Sequence, residues 1–394
     1  MLRDFFLSIL LTILQGTSLS AMAAPRETFS PFVSASVTHD SNLLRRDKSA
    51  GNTADSIRQV VAGMNGDWEV ARQHIVLAAA INDNRFNRYD TLSYQGRDLQ
   101  ARWNWQLGNH LSGDLGYTNK LSIDSFAYQQ SLISNGLVSN LRTEERRFFD
   151  GNWLFHPSWQ VGMGASKSKL SYPEISQRPL NREDDAWETT LQYLNSASNK
   201  VGVKLRVTKG NYPDHAVNFD NGYHQREVLA TADWNYSEHS RLQGQAGKVQ
   251  RKHDYLSGRD YSDITARGTY SWLPTAKVRL NTSAWREVTA YDDLTASYNL
   301  NRGMSLESIW APTSKITVSA RIQHEKHAFL GDPGLLVPAT NRKDTSDMRK
   351  LTVSYYPAQS YSFNVSVSED KQDSNLPQFS FDSETLFISI IFQM

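Results

Sequence analysis

The residues best suited to metal chemistry in this sequence form the run His324-Glu325-Lys326-His327. Two histidines at such a short spacing can hold one metal ion when a helix places them on one face. The flanking residues instead alternate between polar and apolar, which predicts a β-strand. Because successive strand side chains point to opposite faces, His324 and His327 are predicted to diverge. We therefore predict polar strand residues here and no metal site.

Two pairs of adjacent carboxylates, Asp184-Asp185 and Asp292-Asp293, are the other candidates for chemistry. Carboxylate oxygens are ligands for Ca²⁺, but both pairs are predicted to be exposed acidic residues at loop edges. The sequence has no G-x-S-x-G nucleophile elbow, no Gly-rich phosphate loop and no cysteine. Catalysis needs a nucleophile, a base and an orienting group together. We therefore predict that the protein is not an enzyme and uses no cofactor.

The elements that carry these residues are predicted strands. Alternation over about ten residues, from Lys315 to Glu325, predicts a β-strand with one apolar and one polar face. The apolar positions are Ile316, Val318, Ala320 and Ile322. This apolar face either packs into a soluble core or meets lipid, and the two outcomes imply different functions.

This strand belongs to a repeat of about 40 residues. Segments such as Tyr270–Leu280 and Ser308–Val318 share aromatic residues, a tight turn and an alternating strand. A propeller blade would have four short strands per repeat, whereas each repeat here holds two strands of about ten residues, the length that crosses a bilayer. The predicted turn centres are Arg72, Asn109, Pro157, Ala197, Glu238, Pro274, Pro312 and Pro357.

These features predict an all-β fold, a transmembrane antiparallel up-and-down β-barrel of about 18 strands, with 16 or 20 as alternatives. Short turns are predicted on the periplasmic side and long loops on the extracellular side. A barrel of this size is expected to enclose an aqueous lumen. Residues 24–394 are predicted to form this one domain, because no linker or charge block divides them.

Residues 1–23 predict a secretory signal peptide. Arg3 precedes an apolar run, and Ala21-Met22-Ala23 has the small-x-small pattern of a cleavage site. A signal peptide followed by a barrel predicts a protein of the bacterial outer membrane. The 42 basic and 41 acidic residues nearly cancel, which argues against a nucleic-acid partner.

Aromatic residues cluster beside the predicted short turns, and several share parity with the apolar positions. In a soluble sandwich they would gather at mid-strand, so an interfacial girdle on a lipid-facing surface is predicted. The girdle residues are Trp68, Trp103, Trp105, Trp153, Trp234, Trp272, Trp310 and Tyr355. The last strand resembles a signal for the barrel assembly machinery, carried by Leu386, Ile388, Ile390, Phe392 and Met394.

The polar face is then predicted to line the lumen, with both charge signs and a slight basic excess. One interpretation is a hydrated wall, and the other is a path for a sugar polymer with Trp285 as a stacking platform. The predicted lumen residues are Arg102, Lys204, Arg206, Arg267, Arg279, Trp285, Lys315, Arg321 and Glu325.

The first predicted strand carries Pro31-Phe32-Val33 and then His39-Asp40-Ser41-Asn42-Leu43-Leu44-Arg45. This opening resembles EpsL, the outer-membrane barrel of exopolysaccharide operons that accompany exosortase and PEP-CTERM sorting. That family has an aromatic residue where this chain has His39, and a second Asp where it has Ser41. The resemblance implies a non-enzymatic barrel that takes part in exopolysaccharide biosynthesis or export. Its expected partners are outer-membrane lipid and lipopolysaccharide, the barrel assembly machinery, exopolysaccharide and periplasmic export proteins.

Two other functions are compatible with the same residues. One is a general or solute-specific porin, and the other is a structural barrel that docks surface polysaccharide and has a plugged lumen. Composition does not separate these three functions.

Overall fold

The computed structural model describes residues 29–47, 49, 51, 53–126, 141–195, 197, 199–215, 220–290, 296–332 and 341–394. They form one sheet of 18 antiparallel strands. The strands, β1 to β18, are Phe29–Asp40, Asp55–Val70, Gln73–Phe86, Tyr94–Leu107, Leu111–Ile123, Leu141–His156, Trp159–Ser171, Arg182–Leu194, Lys200–Asn211, Tyr223–Ser237, Ser240–His253, Tyr261–Thr275, Val278–Ala290, Tyr298–Thr313, Ile316–Leu330, Lys343–Ala358, Tyr361–Ser374 and Phe381–Gln393. The predicted signal peptide lies outside the described residues.

Each strand pairs with its neighbours in sequence, and the sheet closes on itself. The closing pair joins β1 to β18, from Phe32 opposite Gln393 to Asp40 opposite Thr385. Closure leaves no unpaired edge strand, so every strand finds hydrogen-bond partners on both sides. The predicted up-and-down barrel and its 18 strands are confirmed.

Short and long connections alternate around the barrel, so its two ends differ. The short turns, at the short-turn end, are residues 71–72, 108–110, 157–158, 195–199, 238–239, 276–277, 314–315 and 359–360. The connections at the long-loop end are residues 41–54, 87–93, 124–140, 172–181, 212–222, 254–260, 291–297, 331–342 and 375–380. Some of these loops contain 3-10 turns, Asp90–Leu92, Ile175–Leu180, Ser257–Arg259 and Pro377–Phe379. Among the described ranges, no helix has the length and apolar character needed to cross a membrane.

Three prolines predicted as turn centres, Pro274, Pro312 and Pro357, lie two residues before their turns, at the ends of their strands. The strand register shifts at each of them, between Trp272 and Thr275, between Trp310 and Thr313, and between Tyr355 and Ala358. Proline has no N–H to donate to the next strand, which is why it is found at such irregular positions.

The two faces of the sheet differ in polarity, as β9 illustrates. Val203, Leu205 and Val207 are about half exposed on the outer face, at 48%, 50% and 47%. Lys204 and Arg206 alternate with them and point into the barrel. Directly paired residues share a face, so the registers extend this assignment to every strand. The outer face carries an apolar belt, and the inner face is polar.

Side chains from the loops pack against the inner wall at the long-loop end. Leu44, Leu92 and Phe126 come from three successive long loops and pack with Phe86 of β3. We call these four residues the first mouth cluster. Burying them together stabilises the inward fold of the loops by the hydrophobic effect, because each removes an apolar side chain from water.

Candidate functional site

The barrel interior is the candidate functional site, and most predicted lumen residues lie on its wall. Their strand registers give them the inner face: Arg102, Lys204, Arg206, Arg267, Arg279, Trp285, Arg321 and Glu325. Their functional roles stay predictions.

Lys315 is the exception, and its assignment to the lumen wall was wrong. It lies in the turn between β14 and β15, and its Nζ donates a hydrogen bond to the carbonyl of Pro357 at 3.0 Å. Lys277 makes the equivalent contact with Pro312 at 2.9 Å. The alternation that predicted Lys315 continued one residue too far, because the strand begins at Ile316.

Interior charges are accessible to solvent. Arg102 is 55% exposed although it pairs with Asp114 at 2.8 Å, and Arg241 is 49% exposed beside Asp233 at 2.6 Å. Charged side chains that keep this much exposure inside a closed sheet require water around them, because unsolvated charges are costly. The interior is therefore a hydrated space rather than a packed core.

A polar network runs along the inner wall of β12, β13 and β15. Arg267 donates two hydrogen bonds to Glu287, at 2.7 and 2.9 Å, and its guanidinium lies 4.8 Å from the Trp285 ring. The Trp285 Nε1 donates to Glu325 Oε1 at 2.9 Å. Gly303 leaves room for this ring, since a Cβ there would come within 2.6 Å of it. The network is charge-assisted and holds each member in one geometry.

Trp285 faces inward as predicted, but it is only 8% exposed. A sugar ring needs the open face of an aromatic side chain to stack on it. The face of Trp285 is covered by Arg267 on the neighbouring strand. The predicted role as a stacking platform is therefore wrong, and the residue is a structural part of the wall.

The predicted basic excess of the interior is also wrong. By register, the basic residues facing inward are Arg102, Lys120, Arg142, Arg146, Arg182, Lys200, Lys204, Arg206, Arg241, Arg251, Arg267, Arg279, Arg321 and Lys350. The acidic residues are Asp40, Asp55, Asp67, Glu69, Asp98, Asp114, Glu144, Asp150, Asp184, Glu188, Glu227, Asp233, Asp263, Glu287, Glu307, Glu325, Asp344 and Asp370. Acids outnumber bases on the strands, which gives the wall a small negative balance.

The run that resembles EpsL folds over the long-loop end at the β1–β18 junction. Asp40 Oδ1 accepts hydrogen bonds from the Asn42 amide at 2.8 Å, Arg45 Nη1 at 2.9 Å and Ser383 Oγ at 2.7 Å. These bonds turn the chain so that Leu44 enters the first mouth cluster. The run therefore has a structural role at the β1–β18 junction, in addition to any role that the resemblance implies.

A second group of buried residues lies at the same end of the barrel, around β15 to β18. Arg342 lies between the rings of Phe329 and Phe379, with its Cζ 4.3 and 3.6 Å from their centroids. It also pairs with the buried Asp344 at 2.6 Å. We call these four residues the second mouth cluster. Sequence reasoning missed both clusters, because each depends on loop residues, such as Leu92 and Phe379, that follow no periodic pattern.

Asp124 begins the loop after β5 and contacts Arg142 at the start of β6. Burial raises the pKa of Asp124, and the Arg142 guanidinium only partly offsets this rise. Burial also raises the pKa of the nearby Tyr172 hydroxyl. Asp124, Arg142 and Tyr172 thus form a third buried group at the long-loop end.

The sequence candidates for metal chemistry do not form a site. His324 lies on the outer face with Asp347 at 2.8 Å, whereas His327 is buried inside with Asn301 at 2.7 Å. Asp184 and Asp185 lie within β8 rather than at a loop edge, on opposite faces. Asp292 and Asp293 fall outside the described residues. Across the described ranges, no group of three or more His, Cys, Asp or Glu side chains could hold a metal ion.

The predicted girdle residues all lie on the outer face, close to the short-turn end. Trp153 and Trp310 are 54% and 48% exposed. The residues in this row are Trp68, Trp103, Trp105, Trp153, Trp234, Trp272, Trp310 and Tyr355. Further aromatic residues complete it, namely Trp159, Tyr193, Tyr270 and Tyr361.

The predicted assembly signal lies on the closing strand. The apolar residues that share the outer face of β18 are Leu386, Ile388, Ile390 and Phe392. Met394 follows the strand, and its amide donates to the Pro31 carbonyl at 2.9 Å. Recognition by an assembly machinery stays a prediction.

Solved structures with a similar fold include outer-membrane proteins of Pseudomonas. The OccK2 (OpdF) structure of Pseudomonas aeruginosa matches with a TM-score of 0.53 and 10% identity, covering 93% of this chain and 98% of that one. The structure of P. aeruginosa OpdK with vanillate has a TM-score of 0.52 and 9% identity, and that of a BenF-like porin from P. fluorescens Pf-5 has 0.51 and 9%. Both cover 93% of this chain and 99% of theirs. The chain thus has the fold of these porin structures. It matches no protein-family model and no curated protein.

Proposed function

We propose that this protein is a passive channel of the bacterial outer membrane for small hydrophilic solutes. The observation that carries the proposal is the solvent exposure of interior charges such as Arg102 and Arg267, 55% and 39%, inside a closed barrel. A polar wall with water around it lets hydrated solutes pass, and the apolar outer belt suits a lipid environment.

The balance of interior charge supports weak selectivity. Several interior cations are paired with acids, as Arg102 is with Asp114 and Arg267 with Glu287, so little unbalanced charge acts on a passing ion. Screening at physiological salt further limits each wall charge to about 8 Å. We expect the channel to pass both cations and anions, with a small preference for cations.

Exopolysaccharide export, the function implied by the EpsL resemblance, stays a separate prediction. Its support is Pro31-Phe32-Val33 and the run from His39 to Arg45, and the similar solved structures add nothing to it. Trp285 is buried, so it offers no open ring face to guide a sugar polymer.

Conductance in a planar lipid bilayer tests the proposal. Purified barrel should produce stepwise, stable increases in the current across the bilayer. Vesicles containing it should swell in glucose and in glucuronate, a solute named in a structure of the similar OccK2. Vesicles with barrel that has been heat-unfolded before reconstitution provide the background. Closed behaviour of the folded protein in both assays would exclude a channel and favour the docking barrel with a plugged lumen.

A further inference from the structure

The outer face of β10 and β11 carries a cationic cluster near the long-loop end. His224, Arg226, Lys248 and Lys252 are all exposed there. The register places His224 opposite Lys252, Arg226 opposite Gln250, and Val228 opposite Lys248. Gln250 thus lies opposite Arg226, and Lys248 and Lys252 flank it on the same face of its own strand. Both lysines are diagonal neighbours of Arg226, and diagonal neighbours in such a sheet are about 7–8 Å apart.

Three of these four cations lack the acidic partner that several other outer-face cations have. His224 lies 3.6 Å from Asp254, but within the described ranges Arg226, Lys248 and Lys252 make no ion pair. Elsewhere on the outer face, Lys169 pairs with Glu183 at 2.9 Å and Arg349 with Glu369 at 3.3 Å. Like charges gathered without counter-charge repel one another, and a bound anion would remove that cost.

The cluster also encloses a recess. His224, Arg226, Gln250 and Lys252 line a cavity of about 120 Å³ that opens to the outside of the barrel. A single water needs only about 10–15 Å³ of such space, so a phosphate group fits. Arginine and lysine together provide donors to several phosphate oxygens.

The position of the recess relative to the apolar belt identifies the source of the phosphate. Toward the short-turn end, Arg226 is followed on the same strand and face by Val228 and Ala230. In the same direction, Lys248 is followed by Ala246. Acyl chains lying on these apolar residues would bring their headgroup to the height of the recess. A soluble phosphate would gain nothing from the belt.

We propose that this recess binds the phosphate of an anionic phospholipid-like headgroup in the outer leaflet, with the acyl chains on the belt beneath it. Lipid A, which carries phosphates on a multiply acylated core, has the required chemistry. This inference rests on the proposed outer-membrane location but not on conduction through the lumen.

Binding to purified full-length barrel in dodecyl maltoside tests the inference, with diphosphoryl lipid A as the probe. The triple variant Arg226→Gln, Lys248→Gln, Lys252→Gln should bind it at least about tenfold more weakly than the wild type, because each basic residue contributes to headgroup attraction. The matched control removes three paired outer-face cations, Lys169→Gln, Arg349→Gln and Lys371→Gln, and should bind as the wild type does. Lys371 faces outward opposite Asp347 and pairs with Asp373 at 3.1 Å. Melting followed by circular dichroism verifies that both variants fold.

Two further probes separate the possible sources of the phosphate. Lipid A stripped of its phosphates should bind no better to the wild type than to the triple variant. Inorganic phosphate should not displace diphosphoryl lipid A at equal concentration. Equal lipid A affinity of wild type and triple variant would overturn the inference, and so would displacement by inorganic phosphate. Bilayer conductance of the triple variant should equal that of the wild type; loss of conductance in every sample would reject the channel function and leave the lipid site standing.

Discussion

Ser383 of β18 donates a hydrogen bond to Asp40 of β1 at 2.7 Å, across the pair of strands that closes the barrel. The same carboxylate receives two hydrogen bonds from Arg45 Nη1, both at 2.9 Å. Asp40 is 6% exposed and Ser383 only 1%. One buried acid thus joins barrel closure to the inward fold of the first long loop.

Asp40→Ala should therefore destabilise the barrel strongly. The substitution leaves the Arg45 guanidinium partly buried without its carboxylate, and removal of one member of a buried pair costs about 3–5 kcal/mol. Asp90→Ala removes an exposed carboxylate from the next long loop and should cost less than about 0.5 kcal/mol. Urea unfolding of both variants in micelles measures the difference. Similar midpoints would show that Asp40 does not hold the closure.

Leu205→Arg tests which face of the sheet meets lipid. Leu205 lies at mid-strand on the outer face and is 50% exposed, so an arginine there should cost about 2–4 kcal/mol at the bilayer midplane. Gln243→Arg makes a new cation on the inner face beside Asp233 and should be nearly neutral, since that side chain reaches water. Folding into lipid vesicles over a urea series gives both values. Equal costs would contradict the assigned faces.

The strands could be predicted from the sequence because alternation is a local signal. Each strand has a polar and an apolar face, so a run such as Ile316 to Ile322 indicates its own structure without reference to its neighbours. The short turns were located for the same reason. Where a proline precedes the turn, as Pro312 does, the predicted turn centre lies two residues too early. The reason is that proline, which lacks an N–H, marks the irregular end of the strand and not the turn itself.

The interior could not be predicted to the same depth. Trp285 has the correct parity, but only the fold shows that Arg267 covers it. The mouth clusters depend on contacts between loops far apart in sequence, such as Arg342 against Phe379. The charge balance of the lumen depends on every strand at once, and short alternating runs sampled too few of the interior acids.

Trp285 allows a test of the sugar-path hypothesis. Trp285→Ala should destabilise the barrel by about 3 kcal/mol, since a large buried ring is lost. Trp285→Phe keeps most of the packing and loses the hydrogen bond to Glu325, so about 1 kcal/mol is expected. Swelling of vesicles in maltooligosaccharides should be equal for wild type and Trp285→Phe. A slower rate that grows with chain length for Trp285→Phe would restore the stacking role.

Asp124 gives the long-loop end a pH dependence. Its raised pKa means that the folded state favours the protonated carboxyl, so its contribution to stability is present at low pH and is lost as pH rises through the folded pKa. Asp124→Asn cannot ionise. The melting temperature of the variant relative to the wild type should therefore increase from pH 4.5 to pH 8. A relative decrease would show that the ion pair with Arg142 outweighs burial.

Reversal potentials under a salt gradient test the charge balance of the lumen. The interior acids outnumber the bases, so the wild type should show a weak cation preference. Arg279→Glu combined with Arg321→Glu replaces two interior cations and should shift the reversal potential further toward cation selectivity. Lys315→Glu makes half of this charge change in a short turn, where Lys315 contacts Pro357, and should shift the reversal potential by much less than half as far. An anion preference of the wild type, or an equal shift from Lys315→Glu, would contradict the assignment of these residues to the inner wall and the turn.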